Sequence, residues 1–249
     1  MNQVEVLHPG CLDINPVQCS TYLIRLGEQC AIVDPGPGLR DAEIIEALTG
    51  FGYTQPQVAY ILLTHCHVDH SLGAYRWQQG GAKLVGSRHC ATALANASEQ
   101  IWYEYPEYIV PTVLDTVLEG DGDLQLGSVS VRAVHTPGHT GGCYSFLVQD
   151  GSRTILLSGD LISTESQLAW SGSVDFSAAD TLLSVKKLRE YNPDVAYWGH
   201  GAIKEPAMAW LTRAMELGDA GRWAPPATGP AEKYHTGPPP DPSLQPYRA

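Results

Sequence analysis

The sequence predicts an α/β protein in which short apolar strands alternate with amphipathic helices. Runs rich in valine, isoleucine and tyrosine recur along the chain and end in clusters of glycine and proline, which is typical of strands that lead into turns. Segments with apolar residues at helical spacing lie between these runs. An apolar strand also ends in an aspartate twice, at Asp34 and at Asp160. This repetition indicates two equivalent halves that meet near residue 125.

The first half is predicted to contain four strands and two helices. Residues 17–26 and 29–33 form two strands, which lead into the turn-forming sequence Asp-Pro-Gly-Pro-Gly at residues 34–38. Residues 41–48 have apolar side chains at helical spacing, and Gly50 follows the end of this helix. The remaining elements are a buried strand at 58–63, a helix at 71–79 and a strand at 82–86.

An aromatic segment that follows leaves two interpretations open. Residues 98–110 either form a helix that packs its aromatic side on the core, which we favour, or line a pocket. The aromatic side chains are Trp102, Tyr103, Tyr105 and Tyr108.

The second half is predicted to begin with a hairpin at residues 124–134, with Gly127 and Ser128 in its turn. Eight of the 18 prolines lie between residues 225 and 246, where no regular element is expected. The chain is therefore divided into a folded domain at 1–218 and a proline-rich tail at 219–249. Between hairpin and tail we expect a loop at 136–142, strands at 143–148, 154–157 and 195–198, and helices at 178–191 and 205–217.

Charge and cysteine usage limit the partners and the location. The chain carries 27 acidic and 15 basic side chains, a net charge of −12, which disfavours nonspecific binding to nucleic acid or to an anionic membrane. Its six cysteines form no Cys-x-x-Cys pair, which is typical of reduced thiols. We expect a cytoplasmic protein that acts on a small molecule and has no nucleic-acid or membrane partner. A homodimer is left open.

The most informative motif is His-x-His-x-Asp-His at residues 65–70, directly after the buried strand. Residues two apart in an extended loop point to the same side, so His65 and His67 can share one metal ion. Asp69 and His70 begin the following turn and can face a second metal ion close by. The end of a buried strand is a rigid position of the kind that a reactive site needs.

With four further motifs, this loop resembles the metallo-β-lactamase-fold hydrolases. The four are Asp34 after the second strand, His139 in Thr-Pro-Gly-His-Thr, Asp160 in Ser-Gly-Asp and His200 in Gly-His. The resemblance extends to about residue 215 and implies a four-layer αβ/βα sandwich. It says little about the substrate, because this superfamily hosts many reactions.

The resemblance implies two divalent metal ions, for which imidazoles with carboxylates suit zinc and also allow iron or manganese. His65, His67 and His139 would bind one ion. Asp69, His70 and His200 would bind the other, and Asp160 would bridge the two.

Three further expectations concern the surroundings of these ligands. Asp34 would hold the histidine loop by hydrogen bonds, although it also suits a simple turn. Cys66 should point away from its histidine neighbours into the core. The other histidines are expected to be structural or ordinary residues: His8, His89, His135 and His235.

The implied reaction is the cleavage of a small ester, lactone or thioester by a hydroxide that bridges the ions, with Asp69 as proton relay. The complete histidine loop and bridging aspartate disfavour antibiotic hydrolysis. After the last motif the sequence offers one helix and the proline-rich tail, and not the helical extension with which glyoxalase II binds glutathione. This difference disfavours glutathione thioesters as substrates. N-acyl homoserine lactonases place a tyrosine three residues after the bridging aspartate, where this chain has Ser163. A tyrosine that stabilises the oxyanion would therefore have to come from elsewhere in the chain.

Three alternatives remain: an oxidoreductase of the persulfide-dioxygenase type with one iron ion, a phosphodiester hydrolase, and a catalytically silent binding protein. The pocket walls are expected from residues 98–118 and 163–176, with Trp170, and from the tail.

Overall fold

The computed structural model of the protein describes most of the chain before the tail. The aromatic side chains at 102–108, Trp170 and the tail from residue 223 onward lie outside the described residues, so the predictions made for them stay predictions. The described residues are 2–11, 18–101, 109–163, 165–169, 173, 175–201 and 203–222.

The strands of the first half form one six-stranded sheet. They are β1 (Val4–Cys11), β2 (Gln18–Arg25), β3 (Cys30–Val33), β4 (Val58–Leu62), β5 (Lys83–Ser87) and β6 (Thr116–Leu118). They lie in chain order across the sheet. The first three pair antiparallel, and β3 to β6 pair parallel.

The strands of the second half form a five-stranded sheet in the order β11-β10-β9-β8-β7. They are β7 (Gly122–Leu126), β8 (Val129–His135), β9 (Tyr144–Asp150), β10 (Arg153–Leu157) and β11 (Val195–Tyr197). Only β10 and β11 pair parallel within this sheet. The boundary between the sheets lies between Leu118 and Gly122, close to the predicted division at residue 125.

Six described α-helices flank the sheets, and none of them is long and apolar enough to cross a membrane. They are α1 (Asp41–Gly50), α2 (Val68–Ser71), α3 (Ala74–Gln79), α4 (Arg88–Asn96), α5 (Ala178–Glu190) and α6 (Ala207–Asp219). Two 3₁₀ turns, Gln55–Gln57 and Glu99–Ile101, complete the helical segments.

Alternation along the strands divides the buried residues of the first half between two cores. Leu23 of β2 packs in an outer core with Ile44 of α1 and Trp77 of α3, whereas its neighbours Tyr22 and Ile24 pack between the sheets. Successive side chains of a strand point to opposite faces, so each strand contributes to both cores.

The second sheet repeats this arrangement. Leu156 of β10 packs with Trp210 of α6 in a second outer core, and Ile155 and Leu157 join the core between the sheets. Helices, sheet, sheet and helices therefore stack as four layers, and the predicted sandwich is confirmed.

Most predicted elements are present, but β1, α4 and β6 were not predicted. β1 contains Pro9 and Gly10, which usually argue against a strand, and its pairing register shifts between Val6 and His8. The predicted helix at residues 71–79 is wrong at its start, because α2 already begins at Val68 and a break precedes α3.

Candidate metal centre

The metal-site motifs lie where strands of the two sheets end. In the first sheet Asp34 follows β3 and His65 follows β4, and these two strands are parallel. In the second sheet His139 follows β8, Asp160 follows β10 and His200 follows β11, and these three strands run in one direction. Parallel strands end at the same edge of a sheet, so residues up to 166 positions apart meet there.

His65, His67 and His139 form the first cluster, and all three are buried. Nε2 of His65 and Nε2 of His139 each lie 3.1 Å from Nδ1 of His67. One ring nitrogen of each histidine therefore faces the same point.

Asp69, His70, Asp160 and His200 form the second cluster. Nε2 of His200 lies 3.1 Å from Oδ2 of Asp69 and 3.0 Å from Oδ2 of Asp160. Nε2 of His70 lies 3.3 Å from Nε2 of His200 and 3.3 Å from Oδ1 of Asp160.

Asp160 lies between the two clusters. Its Oδ2 is 3.7 Å from Nε2 of His139 in the first cluster and 3.0 Å from Nε2 of His200 in the second. The structure thus brings all seven predicted residues into one buried region, in the two groups that the resemblance implied.

Hydrogen bonds behind the first cluster turn ring lone pairs towards it. The Thr64 hydroxyl donates to Oδ2 of Asp34 at 2.6 Å, so it can accept from Nδ1 of His65 at 3.0 Å. Nδ1 of His139 lies 3.1 Å from the carbonyl oxygen of Ala169, which can only accept. Both histidines then carry their proton on Nδ1 and present the Nε2 lone pair to the cluster.

Asp34 supports the second cluster as well. Its Oδ1 accepts from the backbone N–H of Thr64 at 2.8 Å, and its Oδ2 lies 2.9 Å from Nδ1 of His70. The predicted hydrogen bonds to the histidine loop are confirmed. Asp34 also has a φ of +52°, a conformation that costs a non-glycine residue about 1–2 kcal/mol. The carboxylate is thereby aimed at the loop.

The histidines of the first cluster resist protonation. Burial lowers the pKa of His67 to about 3 and holds the pKa of His65 well below its ordinary value. Burial also lowers the pKa of His139, although Asp160 opposes the shift. All three imidazoles are therefore neutral at pH 7.

The second cluster behaves in the opposite way. Burial disfavours a charged His200, but the carboxylates of Asp160 and Asp69 outweigh it and raise its pKa to about 9. The pKa of His70 is raised well above its ordinary value for the same reason, because nearby carboxylates, including that of Asp160, outweigh the effect of burial. Burial raises the pKa of Asp69, yet the neighbouring histidines outweigh that effect and lower it to about 2.

The donor atoms fit a metal ion better than they fit one another. Nδ1 of His67 can donate to only one of the two lone-pair nitrogens that lie 3.1 Å from it. Oδ1 of Asp160 is buried and has no aligned hydrogen-bond donor among the described residues, although Nε2 of His70 lies 3.3 Å from it. Lone pairs that converge in a buried space need a cation, and imidazole with carboxylate is a donor set that zinc binds.

Three other residues that the sequence analysis discussed, Cys66, His8 and Ser163, lie outside both clusters. Cys66 points into the outer core, as predicted, with its Sγ 3.4 Å from the carbonyl oxygen of Gln100. Nε2 of His8 lies 3.5 Å from Oε2 of Glu43. The Ser163 hydroxyl accepts from the backbone N–H of Gln167 at 3.2 Å.

Thr64 was missed by the sequence analysis, although it directly precedes the histidine motif. Asp175 was missed because no motif marks it; it accepts from the backbone N–H of Gly141 at 2.7 Å. His89 and His135 were set aside as structural or ordinary. His135 places its Nε2 3.3 Å from the carbonyl oxygen of Gly141, outside both clusters.

Comparison with known proteins gives consistent matches. A family model described as the metallo-beta-lactamase superfamily matches residues 14–200. The N-acyl homoserine lactonase of a Bacillus species is 28% identical over 229 residues, covering 80% of this chain and 86% of that protein. The human acyl-coenzyme A thioesterase MBLAC2 is 30% identical over 180 residues, which cover 61% of each chain.

Solved structures share the fold. The metallo-beta-lactamase family protein TTHA1429 from Thermus thermophilus is similar with a TM-score of 0.70, at 20% identity, over 88% of this chain and 80% of that chain. BJP-1, a subclass B3 metallo-beta-lactamase of Bradyrhizobium japonicum, is similar with a TM-score of 0.67, at 20% identity, over 89% and 91% of the two chains.

Proposed function

The chain belongs to the metallo-beta-lactamase superfamily, and on this basis we propose that it is a dinuclear metal-dependent hydrolase of a small ester, lactone or thioester. The first ion would be held by His65, His67 and His139. The second would be held by Asp69, His70 and His200, with Asp160 as the ligand shared by both. Zinc suits these donors, and iron or manganese would be accepted as well.

The position of Asp160 carries this proposal. Its carboxylate lies within 3.7 Å of a histidine nitrogen from each cluster. A mononuclear iron site of the persulfide-dioxygenase type needs only one of the clusters. Two complete and adjacent clusters therefore favour two ions.

The ions would supply a hydroxide at neutral pH and would polarise the carbonyl group that it attacks. Asp69 would move the proton. It is ionised at pH 7, since its pKa is lowered to about 2, and its Oδ2 lies 3.1 Å from Nε2 of His200. From there it can take the proton of the attacking water and pass it to the leaving alkoxide or thiolate. Asp34 would keep His70 and Thr64 in place while this happens.

The substrate class is supported by the relatives and not by a pocket motif. The names of two relatives, a lactonase and an acyl-coenzyme A thioesterase, both describe cleavage of an acyl carbon–heteroatom bond. The same attack on a carbonyl serves both bonds. We therefore propose the shared chemistry, acyl transfer to water, and leave the acyl and leaving groups to experiment.

The test is metal analysis combined with a substrate panel. We expect two equivalents of divalent transition metal per chain and hydrolysis of lactones or thioesters. His65→Ala and Asp160→Ala should lower kcat/KM at least a hundredfold, whereas Asp123→Ala, at an exposed carboxylate, should not. Hydrolysis of phosphodiesters alone would overturn the ester class. One iron per chain with oxygen uptake would favour the oxidoreductase, and metal binding without turnover of any substrate would favour the silent binding protein.

We also propose that the protein works in the cytoplasm, on small molecules and not on nucleic acid or membranes. The net charge of −12 supports the choice of partner. The location is supported by five buried free thiols: Cys19, Cys30, Cys66, Cys90 and Cys143.

A further inference from the structure

Three side chains that contact one another in series lie next to the first cluster: Cys66, His89 and Asp175. Sγ of Cys66, the residue between His65 and His67, is 3.5 Å from Nδ1 of His89. Nε2 of the same imidazole is 2.8 Å from Oδ2 of Asp175. His89 therefore contacts both neighbours through its two ring nitrogens, and the contact of Nε2 with Asp175 has ion-pair distance but not the alignment of a hydrogen bond.

Asp175 connects this series to the loop that carries His139. Its Oδ2 accepts from the backbone N–H of Gly141 at 2.7 Å, and its Oδ1 accepts from the hydroxyl of Ser173 at 2.9 Å. The same hydroxyl lies 3.3 Å from the carbonyl oxygen of His139. These donors and His89 outweigh the effect of burial and lower the pKa of Asp175, so the carboxylate is held ionised.

The backbone leaves room for His89 at one residue of that loop. A Cβ on Gly142 would collide with Cβ of His89 and would lie 2.7 Å from its Cγ and from Oγ of Ser87. Ser87 is the N-cap of α4 and accepts from the backbone N–H of Cys90 at 3.1 Å. The first turn of α4 is therefore seated against a loop position that admits no side chain.

The contact links the two halves of the molecule. His89 lies in the first turn of α4, which follows β5 of the first sheet, whereas Asp175 precedes α5 of the second half. The loop that holds His65 and His67 and the loop that holds His139 come from different sheets. His89 touches the first loop through Cys66 and reaches the second through Asp175.

We propose that His89 is a positioning residue for the first metal cluster, because its imidazole holds the His65–His67 loop against the His139 loop through Cys66 and Asp175. The proposal rests on the metal-binding role of this cluster. His89 belongs to neither of the two clusters. It acts as Asp34 does for the second cluster, where one carboxylate holds Thr64 and His70.

The first measurement is metal release from the loaded protein to a colorimetric chelator. In His89→Ala and in Asp175→Asn, we expect one of the two equivalents to leave on the order of tenfold faster, which is typical when a supporting partner of a metal ligand is lost. The other equivalent should leave at the wild-type rate. His89→Gln, which keeps an N–H donor for Asp175, should restore part of the difference.

The second measurement is amide hydrogen exchange of the metal-free protein. Residues 64–67 and 138–142 should exchange several-fold faster in both variants, together and not separately. His8→Ala is the matched control, because His8 also pairs with a carboxylate, that of Glu43 at 3.5 Å, but lies outside both clusters. It should change neither the release nor the exchange of these loops.

The inference is overturned if His89→Ala matches the control in both measurements. It is also overturned if the effects of His89→Ala and Asp175→Asn add fully in the double variant, because residues of one chain of contacts should couple. If His89→Ala does not fold, the more conservative His89→Gln and the isosteric Asp175→Asn decide. A wild-type protein that binds no metal would refute the proposed function, while hydrogen exchange would still decide the role of His89.

Discussion

Asp34 has a larger role at the residue scale than its place in an Asp-Pro-Gly turn indicates. Three groups of the histidine segment lie within 2.9 Å of its two carboxylate oxygens: the backbone N–H of Thr64, the hydroxyl of Thr64, and Nδ1 of His70. The residue keeps a left-handed φ of +52° to do this. Its hydrogen bonds thus determine which ring nitrogen each neighbouring histidine presents to the metal clusters.

Replacing Asp34 with alanine should destabilise the protein by about 3 kcal/mol, because it leaves buried donors unpaired. Metal affinity should fall about 10–100-fold, since His70 and His65 lose their orientation. Urea unfolding and competition with a chelator measure the two effects. Asp123→Ala removes an exposed carboxylate that pairs with Arg132, and it should change stability by less than about 0.5 kcal/mol. Equal effects of the two variants would contradict this account.

At the scale of elements, the change from strand end to helix separates the residues of the two clusters. His67 still has extended backbone, with φ of −59° and ψ of 148°, and α2 begins at the next residue. His65 and His67 therefore point to one side, while Asp69 and His70 are carried round by the helical turn towards the other cluster. Both conformations are local, so the spacing of the motif was enough to predict which of its side chains face the same way.

The loop before β9 packs closely against the start of α5. The carbonyl oxygen of Gly138 accepts from the backbone N–H of Ser177, at the N-terminus of α5, at 2.8 Å. Gly138 has a φ of +142°, and an added Cβ would lie 2.5 Å from Cα of Thr181. This close packing therefore requires glycine at residue 138.

Gly138→Ala should therefore destabilise the protein by about 3 kcal/mol and displace the adjacent His139. Gly151→Ala is the matched control, because Gly151 also has a positive φ, of +63°, but an added Cβ would meet nothing within 4 Å. It should cost about 1 kcal/mol and leave metal binding unchanged. Thermal unfolding and metal content distinguish the two. A Gly138→Ala protein with wild-type metal content would show that the first cluster does not need the close packing of Gly138 against α5.

At the scale of the whole molecule, the packing of the two sheets assembles the site. Each sheet alone carries an incomplete set of the proposed ligands: His65, His67, Asp69 and His70 follow a strand of the first sheet, and the other three follow strands of the second. The core between the sheets therefore holds the two groups of residues together, and the two clusters differ in charge because only the second contains carboxylates.

This difference predicts distinct proton release on metal binding. In the metal-free protein at pH 7, His67 is neutral with a pKa of about 3, whereas His200 is protonated with a pKa of about 9. The first cluster should therefore bind its ion without releasing a proton at pH 7, because the pKa of each of its three histidines is lowered. The second must release protons, so its affinity should rise with pH up to about 9.

Calorimetric titrations at pH 7 in two buffers of different ionisation enthalpy measure the protons released per ion. We expect none for the first-cluster ion and at least one for the second. His200→Ala should remove one of the released protons, whereas His8→Ala should remove none. Equal proton release at the two clusters would contradict the assignment of their charges.

The chemistry of this protein is readable from neighbouring residues in the chain: the histidine loop, the order of the ligand motifs, the α/β alternation and the acidic charge need no coordinates. Spacing encodes local conformation, so it could indicate which side chains share a face. The family resemblance already implied that Asp160 lies between the ions and that Asp34 supports the loop, but only the folded molecule shows that Asp34 reaches both Thr64 and His70 and that His89 lies against both histidine loops. These contacts join residues far apart in the chain, and they depend on how two sheets pack, which no local pattern records.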